Sequence, residues 1–417
     1  MEKINIQNLD LYFNHDERFK TVSLAIYFYL PFEKKYLAEN AIITQLIQKT
    51  NQIYDNEVDF SYQLRSMYDM SFSATSTIIG KVQVFRLSVS FVNPKYISDN
   101  IDIIHEASLF LFNALFKPSF TKEKLDLEKQ IFIKSFESIY NNKTKYAIKR
   151  FNEIMFKDEI EQLNQNGDDE TIKKVTIKSL KDAYKRIITS PCYLFATGNL
   201  DQALIVNDLN KYQLSKLVPY RLDSSLEFID NYNKEIIKIN EVTEEQNINQ
   251  TIVCFGLRSR IRRNSKYRFA LNIFSGMLGE YFHSTLFQII REEKSLAYSV
   301  SSDVLISKGV LNIFAKISSK NIDLVKEIVK NEIKKYQAGD ISEEVLELTK
   351  KAKINMVLKN GDSPFNPLYD LQEKLMGFGE INDQIIIQEF EKITIADIQE
   401  VANMFKFDTI YVLKGNL

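Results

Sequence analysis

Phe282-His-Ser-Thr-Leu-Phe-Gln-Ile-Ile-Arg291-Glu-Glu-Lys-Ser-Leu-Ala-Tyr298-Ser-Val300 is the stretch from which the rest of the chain can be read. Ser284 and Thr285 are helix-start residues, and Leu286, Phe287, Ile289 and Ile290 form an apolar stripe behind them. The spacing predicts a short helix that ends near Lys294. Ala297-Tyr-Ser-Val-Ser then reads as a strand, with Gly309 to Ser318 as its hairpin partner. A cation, Arg291, therefore leaves a helix end, and a phenol, Tyr298, stands seven positions later at a strand start. Both donate hydrogen bonds, to a peptide carbonyl or to a developing oxyanion. An isolated pair of this kind is more often a surface Arg and a half-buried Tyr, so its meaning depends on the rest of the chain.

The chain has 417 residues, enough for two domains of about 200 residues each. Apolar residues make up 45%, which permits two substantial cores. Fifty-four Lys and Arg nearly cancel 55 Asp and Glu, so no overall field points to nucleic acid or an anionic membrane. Two cysteines, Cys192 and Cys254, support neither a disulfide framework nor a zinc–thiolate cluster. No apolar signal core opens the sequence, and no uninterrupted apolar run reaches about 18 residues. The expectation is a soluble, cytoplasmic protein without nucleic-acid or membrane partners.

Val22 to Leu30 is β-branched and aromatic, is stopped by Pro31, and reads as a buried strand. Helical stripes follow over Lys35 to Lys49 and Glu57 to Met67, then a hairpin of Met70 to Ile79 and Val82 to Val92. Helices are predicted from Ile97 to Phe116, Lys122 to Tyr140 (capped by Thr121), Tyr146 to Phe156 and Ile177 to Ile188, and a strand from Cys192 to Thr197. The second half repeats this order. A strand spans Thr251 to Leu257, helices Tyr267 to Met277 and Ser284 to Lys294, and a hairpin Ala297 to Ile306 and Val310 to Ile317. Helices Ile322 to Gln337 and Ser342 to Leu358 and a strand Thr409 to Leu413 complete it. Placing Arg65-Ser-Met-Tyr-Asp-Met-Ser-Phe72 under Arg291-Glu-Glu-Lys-Ser-Leu-Ala-Tyr298 brings the two hairpins into register, so an internal duplication is the economical reading. The expected fold is α+β: two homologous domains, 1–215 and 235–417, each a largely antiparallel sheet with helices on one face, joined by a linker at 216–234.

The glycine-broken helix (Gly276, Gly279), then Ser-Thr-Leu-Phe, then Arg291-Glu-Glu-Lys-Ser-Leu-Ala-Tyr298-Ser-Val resembles the second-domain signature of the pitrilysin/insulinase family of zinc peptidases. The likeness extends over nearly the full chain, through Leu64-Arg-Ser-Met-Tyr68, Val92-Asn-Pro-Lys-Tyr96 and Glu137-Ser-Ile-Tyr-Asn-Asn-Lys-Thr-Lys-Tyr-Ala147. It implies a fold like that of the mitochondrial processing peptidase, with Arg291 and Tyr298 facing a zinc site. Active members carry His-x-x-Glu-His on the first helix, where two His bind zinc and the Glu activates water. The matching helix here, Leu37-Ala-Glu-Asn-Ala-Ile-Ile-Thr-Gln-Leu-Ile-Gln-Lys-Thr50, has no histidine. His15, in a polar stretch read as a loop, and His105, on a helix, are ninety residues apart and cannot replace it. On the later ligand helix, the family's two Glu fall on Glu128 and Ser135, so that ligand is lost too. His283 reads as structural.

The resemblance therefore implies a non-catalytic member that accompanies a homologous chain carrying the zinc motif. No cofactor is expected in this chain, with zinc in the partner subunit. Unfolded peptide would be the substrate, and Arg291 and Tyr298 would bind it or complete the partner's site. The alternative is a self-associating peptide-binding or scaffold protein with no peptidase role. Arg258-Ser-Arg-Ile-Arg-Arg-Asn-Ser-Lys-Tyr-Arg268 packs six cations into eleven residues but lacks the aromatic interleaving of a single-strand nucleic-acid platform. It reads as a solvated loop or one facing an acidic substrate or subunit.

Overall fold

Thr21–Pro31 is apolar and β-branched on both of its faces, and only its two end residues are exposed. A strand of this kind belongs in the middle of a sheet covered on both sides. The computed structural model, which describes residues 1–222 and 226–416, places it there. The first sheet consists of β1 (Glu2–Ile6), β2 (Leu9–His15), β3 (Thr21–Pro31), β4 (Ser71–Ile79), β5 (Val82–Val92), β6 (Pro191–Gly198) and the two-residue β7 (Val218–Pro219). Its order is β1-β2-β6-β3-β5-β4, with β7 beside β6. The second sheet consists of β8 (Asn240–Gln246), β9 (Thr251–Arg258), β10 (Ala297–Leu305), β11 (Val310–Ile317) and β12 (Lys406–Gly415), in the order β10-β11-β9-β12-β8.

The duplication is visible strand by strand. In the first sheet β4, β5, β3 and β6 are mutually antiparallel neighbours and β2 joins β6 in parallel. In the second, β10, β11, β9 and β12 repeat that pattern and β8 joins β12 in parallel. The helix-to-strand turns agree at the register read from the sequence. Asp69 and Ser295 both take a left-handed conformation (φ 53° and 49°). The next amide reaches back six residues in each case, Met70 N to Leu64 O at 2.9 Å and Leu296 N to Ile290 O at 2.8 Å. Both turns thus close with the same bond, one residue longer than the six-to-one bond of a Schellman ending.

The two units interleave in sequence. One comprises Met1–Glu137, Asn164–Phe228 and Ser363–Gly377, the other Ser138–Leu163, Ile229–Asp362 and Phe378–Leu417. Part of the linker reading, Asp223 to Ser225, lies outside the described residues. In the first unit, Leu24, Ile26 and Phe28 pack with residues of the Leu37–Ile47, Ile103–Phe116 and Ile177–Ile188 helices. The opposite face is a tyrosine cluster, with Tyr27 stacked on Tyr193 (ring centroids 5.3 Å apart) and Tyr29 against Tyr220 (4.8 Å). The Asn366–Leu375 helix covers this face: Tyr220 Oη donates to Leu375 O at 2.8 Å, and Phe195 meets Phe365. In the second unit, Phe255, Leu257 and Ile313 face helices Arg268–Ser275, Ile322–Ala338 and Ile395–Asn403. The other face, with Ile252, Cys254 and Tyr411, is closed by Ala147, Phe151 and Met155 of the Lys143–Met155 helix. Each sheet thus has a principal helical layer, and one helix from the other half of the sequence covers its second face.

Several elements differ from the sequence reading. The helix predicted from Ile97 begins at Ile103, after a short turn at Pro94–Tyr96. His15 ends strand β2 rather than lying in a loop. Strands β1 and β8 and the helices Gln202–Leu209, Asn366–Leu375, Asp383–Lys392 and Ile395–Asn403 are additional. No helix among the described residues is long and apolar enough to cross a membrane.

Candidate functional site

The stretch carrying Arg291 folds as a π-helix, Phe287–Glu293. Its predicted cap does not form. The Ser284 hydroxyl instead donates to Tyr281 O at 2.6 Å, and Thr285 Oγ1 bonds the Tyr336 hydroxyl. A second π turn, Gly276–Glu280, precedes it. Gly279 lies so close to β10 that a Cβ there would sit 2.9 Å from Ser302 N. π-Helical turns are rare and concentrate at functional sites. The buried side, Phe287 and Ile290, anchors the segment, while Arg291 faces outward with its guanidinium 4.8 Å from the Phe287 ring centre. Among the described residues its one ionic neighbour is Glu292, at 3.8 Å.

Tyr298 is the second residue of β10, the edge strand of its sheet, and is 64% exposed. Among the described residues its hydroxyl has no hydrogen-bond partner. Its counterpart in the duplication, Phe72, is partly buried, with its ring 5.4 Å from Phe110 and 5.9 Å from Phe60. The aromatic at this position is thus packed in one unit and projected into solvent in the other. β10 also carries an irregularity between Ala297 and Ser299, which frees the backbone of Tyr298 from the regular ladder.

The Leu37–Ile47 helix is almost wholly buried. Asn40 and Thr44, at the four-residue spacing a metal-binding His pair would take, are both buried. Asn40 Nδ2 donates to Gln83 Oε1 at 2.7 Å and Gln83 in turn to Ser76. Thr44 donates back to Ala41 O. Glu128 is buried under the Lys49 ammonium, at 2.6 Å. Amide, hydroxyl and an ammonium-neutralised carboxylate make a donor set that does not fit zinc. Among the described residues no three His, Cys, Asp or Glu side chains are grouped to hold a metal ion.

The comparisons with known proteins agree with this geometry. The family described as "Peptidase M16 inactive domain" matches residues 174–353. The "probable inactive metalloprotease YmfF" of Bacillus subtilis (strain 168) is 25% identical over 406 residues, covering 96% of this chain and 94% of that protein. Over nearly its full length the chain is similar to an M16-type peptidase homologue described as inactive. The fold is shared by a conserved protein from Enterococcus faecalis V583, at a TM-score of 0.89 and 25% identity over 99% of both chains. A peptidase M16 inactive domain from Pseudomonas fluorescens matches at a TM-score of 0.81 over 100% of this chain and 98% of that one; at 13% identity it shows the fold alone.

The three histidines of the chain are accounted for locally. His15 bonds Leu200 O, His105 pairs with Asp208 at 2.9 Å, and His283 bonds Thr349 and stacks on Tyr281. The basic stretch is only partly the solvated loop its composition indicates. Arg258 and Arg262 are buried. Arg258 pairs with Glu159 at 2.6 Å and Asp408 at 2.5 Å, and nearby Lys308 meets Glu159, Glu161 and Asp230 at 3.1, 3.0 and 2.5 Å. Arg262 is held by carbonyl oxygens of Asp230, Tyr232 and Lys308 among others, and burial pushes its pKa down. Sequence reasoning missed this cluster because its carboxylates lie far away in the chain.

Proposed function

We propose that this chain is the non-catalytic subunit of a two-chain zinc peptidase. A homologous chain bearing the zinc motif supplies the metal and the base. This chain binds unfolded peptide and presents Arg291 and Tyr298 to the carbonyl being attacked. The observation that carries the proposal is the exposure of Tyr298 on an edge strand, seven residues after an outward-facing Arg291 on a π-helix. At the equivalent position of the other unit, Phe72 is packed instead. An edge strand also offers unpaired backbone groups to which an extended peptide can add, with alternate side chains read by the neighbouring surface.

The proposal assigns no metal to this chain, because amide and hydroxyl groups stand where imidazoles would be needed. The test is to purify the chain alone and together with a homologous chain that carries the motif. Expected are no stoichiometric zinc and no peptide hydrolysis for the single chain, and about one zinc and measurable turnover for the pair. One tightly held zinc in the isolated chain, or failure of the two chains to associate, would overturn the assignment.

A further inference from the structure

The basic stretch contributes to a second feature, a cleft of about 820 Å³ in the second unit. It is lined by the segment around Tyr232 to Ile236, by Arg258 to Arg262, by Lys308 and by Met404 and Lys406. It lies away from the Arg–Tyr site. Arg258 and Val310 pair at the end of β11 opposite Leu305, and Tyr298 is seven residues back along β10. At about 3.3 Å per residue, the two sites are more than about 20 Å apart.

The floor of the cleft is electrically self-contained. Four cations (Lys234, Arg258, Arg262, Lys308) stand among four carboxylates (Glu159, Glu161, Asp230, Asp408). Two further lining cations are outside that balance. Arg260 and Lys406 have no carboxylate or hydrogen-bond partner among the described residues, and Glu235 is the one acidic side chain on the lining. Both cations stand on fixed backbone. Arg260 is flanked by the anchored Arg258 and Arg262, and Ser259 N donates to Gly309 O at 2.8 Å. Lys406 lies directly across the β12–β9 ladder from Arg258. Ile236, Met404 and Tyr267 give the cleft an apolar wall.

We infer that this cleft binds a small organic phosphate through Arg260 and Lys406. A guanidinium fork and an ammonium together match a phosphate dianion, whereas a single carboxylate leaves one of them unsatisfied. The volume is in the range that encloses an organic ligand, well beyond a bare phosphate ion, and the apolar wall suits the ligand's body.

The test is titration calorimetry of the whole chain with ADP, glucose 6-phosphate, inorganic phosphate and citrate as probes. At least one of the two organic phosphates is expected to bind saturably and more tightly than inorganic phosphate. The double variant Arg260→Gln with Lys406→Gln should raise its Kd at least tenfold, and Arg291→Ala should leave it unchanged. Thermal melts confirm that the variants are folded, and the single variants are read if the double melts early. Absence of saturable binding by either organic phosphate, a Kd indifferent to both cations, or citrate binding as tightly as the phosphates would overturn the inference.

Discussion

Arg291 and Tyr298 make so few contacts within the chain that their removal should leave the fold alone. Exposed substitutions of this kind usually change stability by less than about 0.5 kcal/mol. Arg291→Ala with Tyr298→Phe is therefore expected to keep the melting temperature and the association with the partner, while lowering turnover of the pair by on the order of a hundredfold or more. Tyr298→Phe is the cleaner probe, since it removes the hydroxyl and keeps the ring. A drop in kcat places the donors in the transition state, and a rise in KM places them on the bound peptide. Unchanged turnover in a folded, paired double variant would leave the chain a scaffold. Lys308 is the opposite case. Its side chain is buried among Glu159, Glu161 and Asp230. Lys308→Met strands these carboxylates and should cost about 3–5 kcal/mol, read as a lower urea midpoint.

Legibility divides along the same line. The Arg–Tyr pair and the missing histidines are local facts of the sequence, and the structure places them where they can be judged. The burial of Arg258 and Arg262 could not be read locally. Glu159 and Asp408 sit roughly 100 and 150 positions from Arg258, and only tertiary folding brings them within ion-pair distance.

Among the elements, those with strong periodicity and clear stops were predicted nearly to the residue, such as the β4–β5 hairpin turning at Gly80 and the Ile177–Ile188 helix. β8 was not. Its sequence, Asn-Glu-Val-Thr-Glu-Glu-Gln, has a single aliphatic residue, and it is a strand because β12 offers a parallel edge. The Lys143–Met155 helix was legible, but its place was not. It is held at β8 by Glu244, which accepts from Arg150 Nη2 at 2.7 Å, Tyr411 at 3.0 Å and Tyr146 at 3.2 Å. Burial alone would raise the Glu244 pKa, but these donors hold it below the usual carboxylate value. A carboxyl depressed on folding stabilises above its unfolded value, and that contribution is lost as pH falls through the folded one. Amide-exchange protection of 143–155 should therefore weaken selectively below about pH 4, and Arg150→Met should abolish the selectivity. The same helix sits on β9 at Gly256, where a Cβ would overlap Met155 and stand 2.9 Å from Phe151 Cζ. Gly256→Val should destabilise the protein by about 1–3 kcal/mol through overpacking, measured by denaturant unfolding.

For the molecule as a whole, the interleaving of the two units decides how it can be divided. A cut in the connecting segment near residue 225 separates two repeats that look self-sufficient in sequence. It also removes Ser363–Gly377 from the first unit and Ser138–Leu163 from the second. Each fragment then exposes one sheet face: Tyr27, Tyr29 and Tyr193 in one, Cys254 and Tyr411 in the other. Residues 1–228 and 229–417 expressed separately are expected to aggregate or to lack a cooperative melt, and co-expression should restore a soluble pair. Two independently cooperative fragments would contradict this division.

The late arrival of the Asn366–Leu375 helix also sets a timetable. A ribosome completes the strands around Tyr29 and Tyr193 at residue 198 but does not release their cover until the chain passes residue 375. At about 5–20 residues per second, that interval is on the order of 10–30 s. During it the nascent first unit presents a bare tyrosine-rich sheet to its surroundings. Synthesis rate and holdase supply, rather than final stability, should then govern how much of this protein is recovered in soluble form.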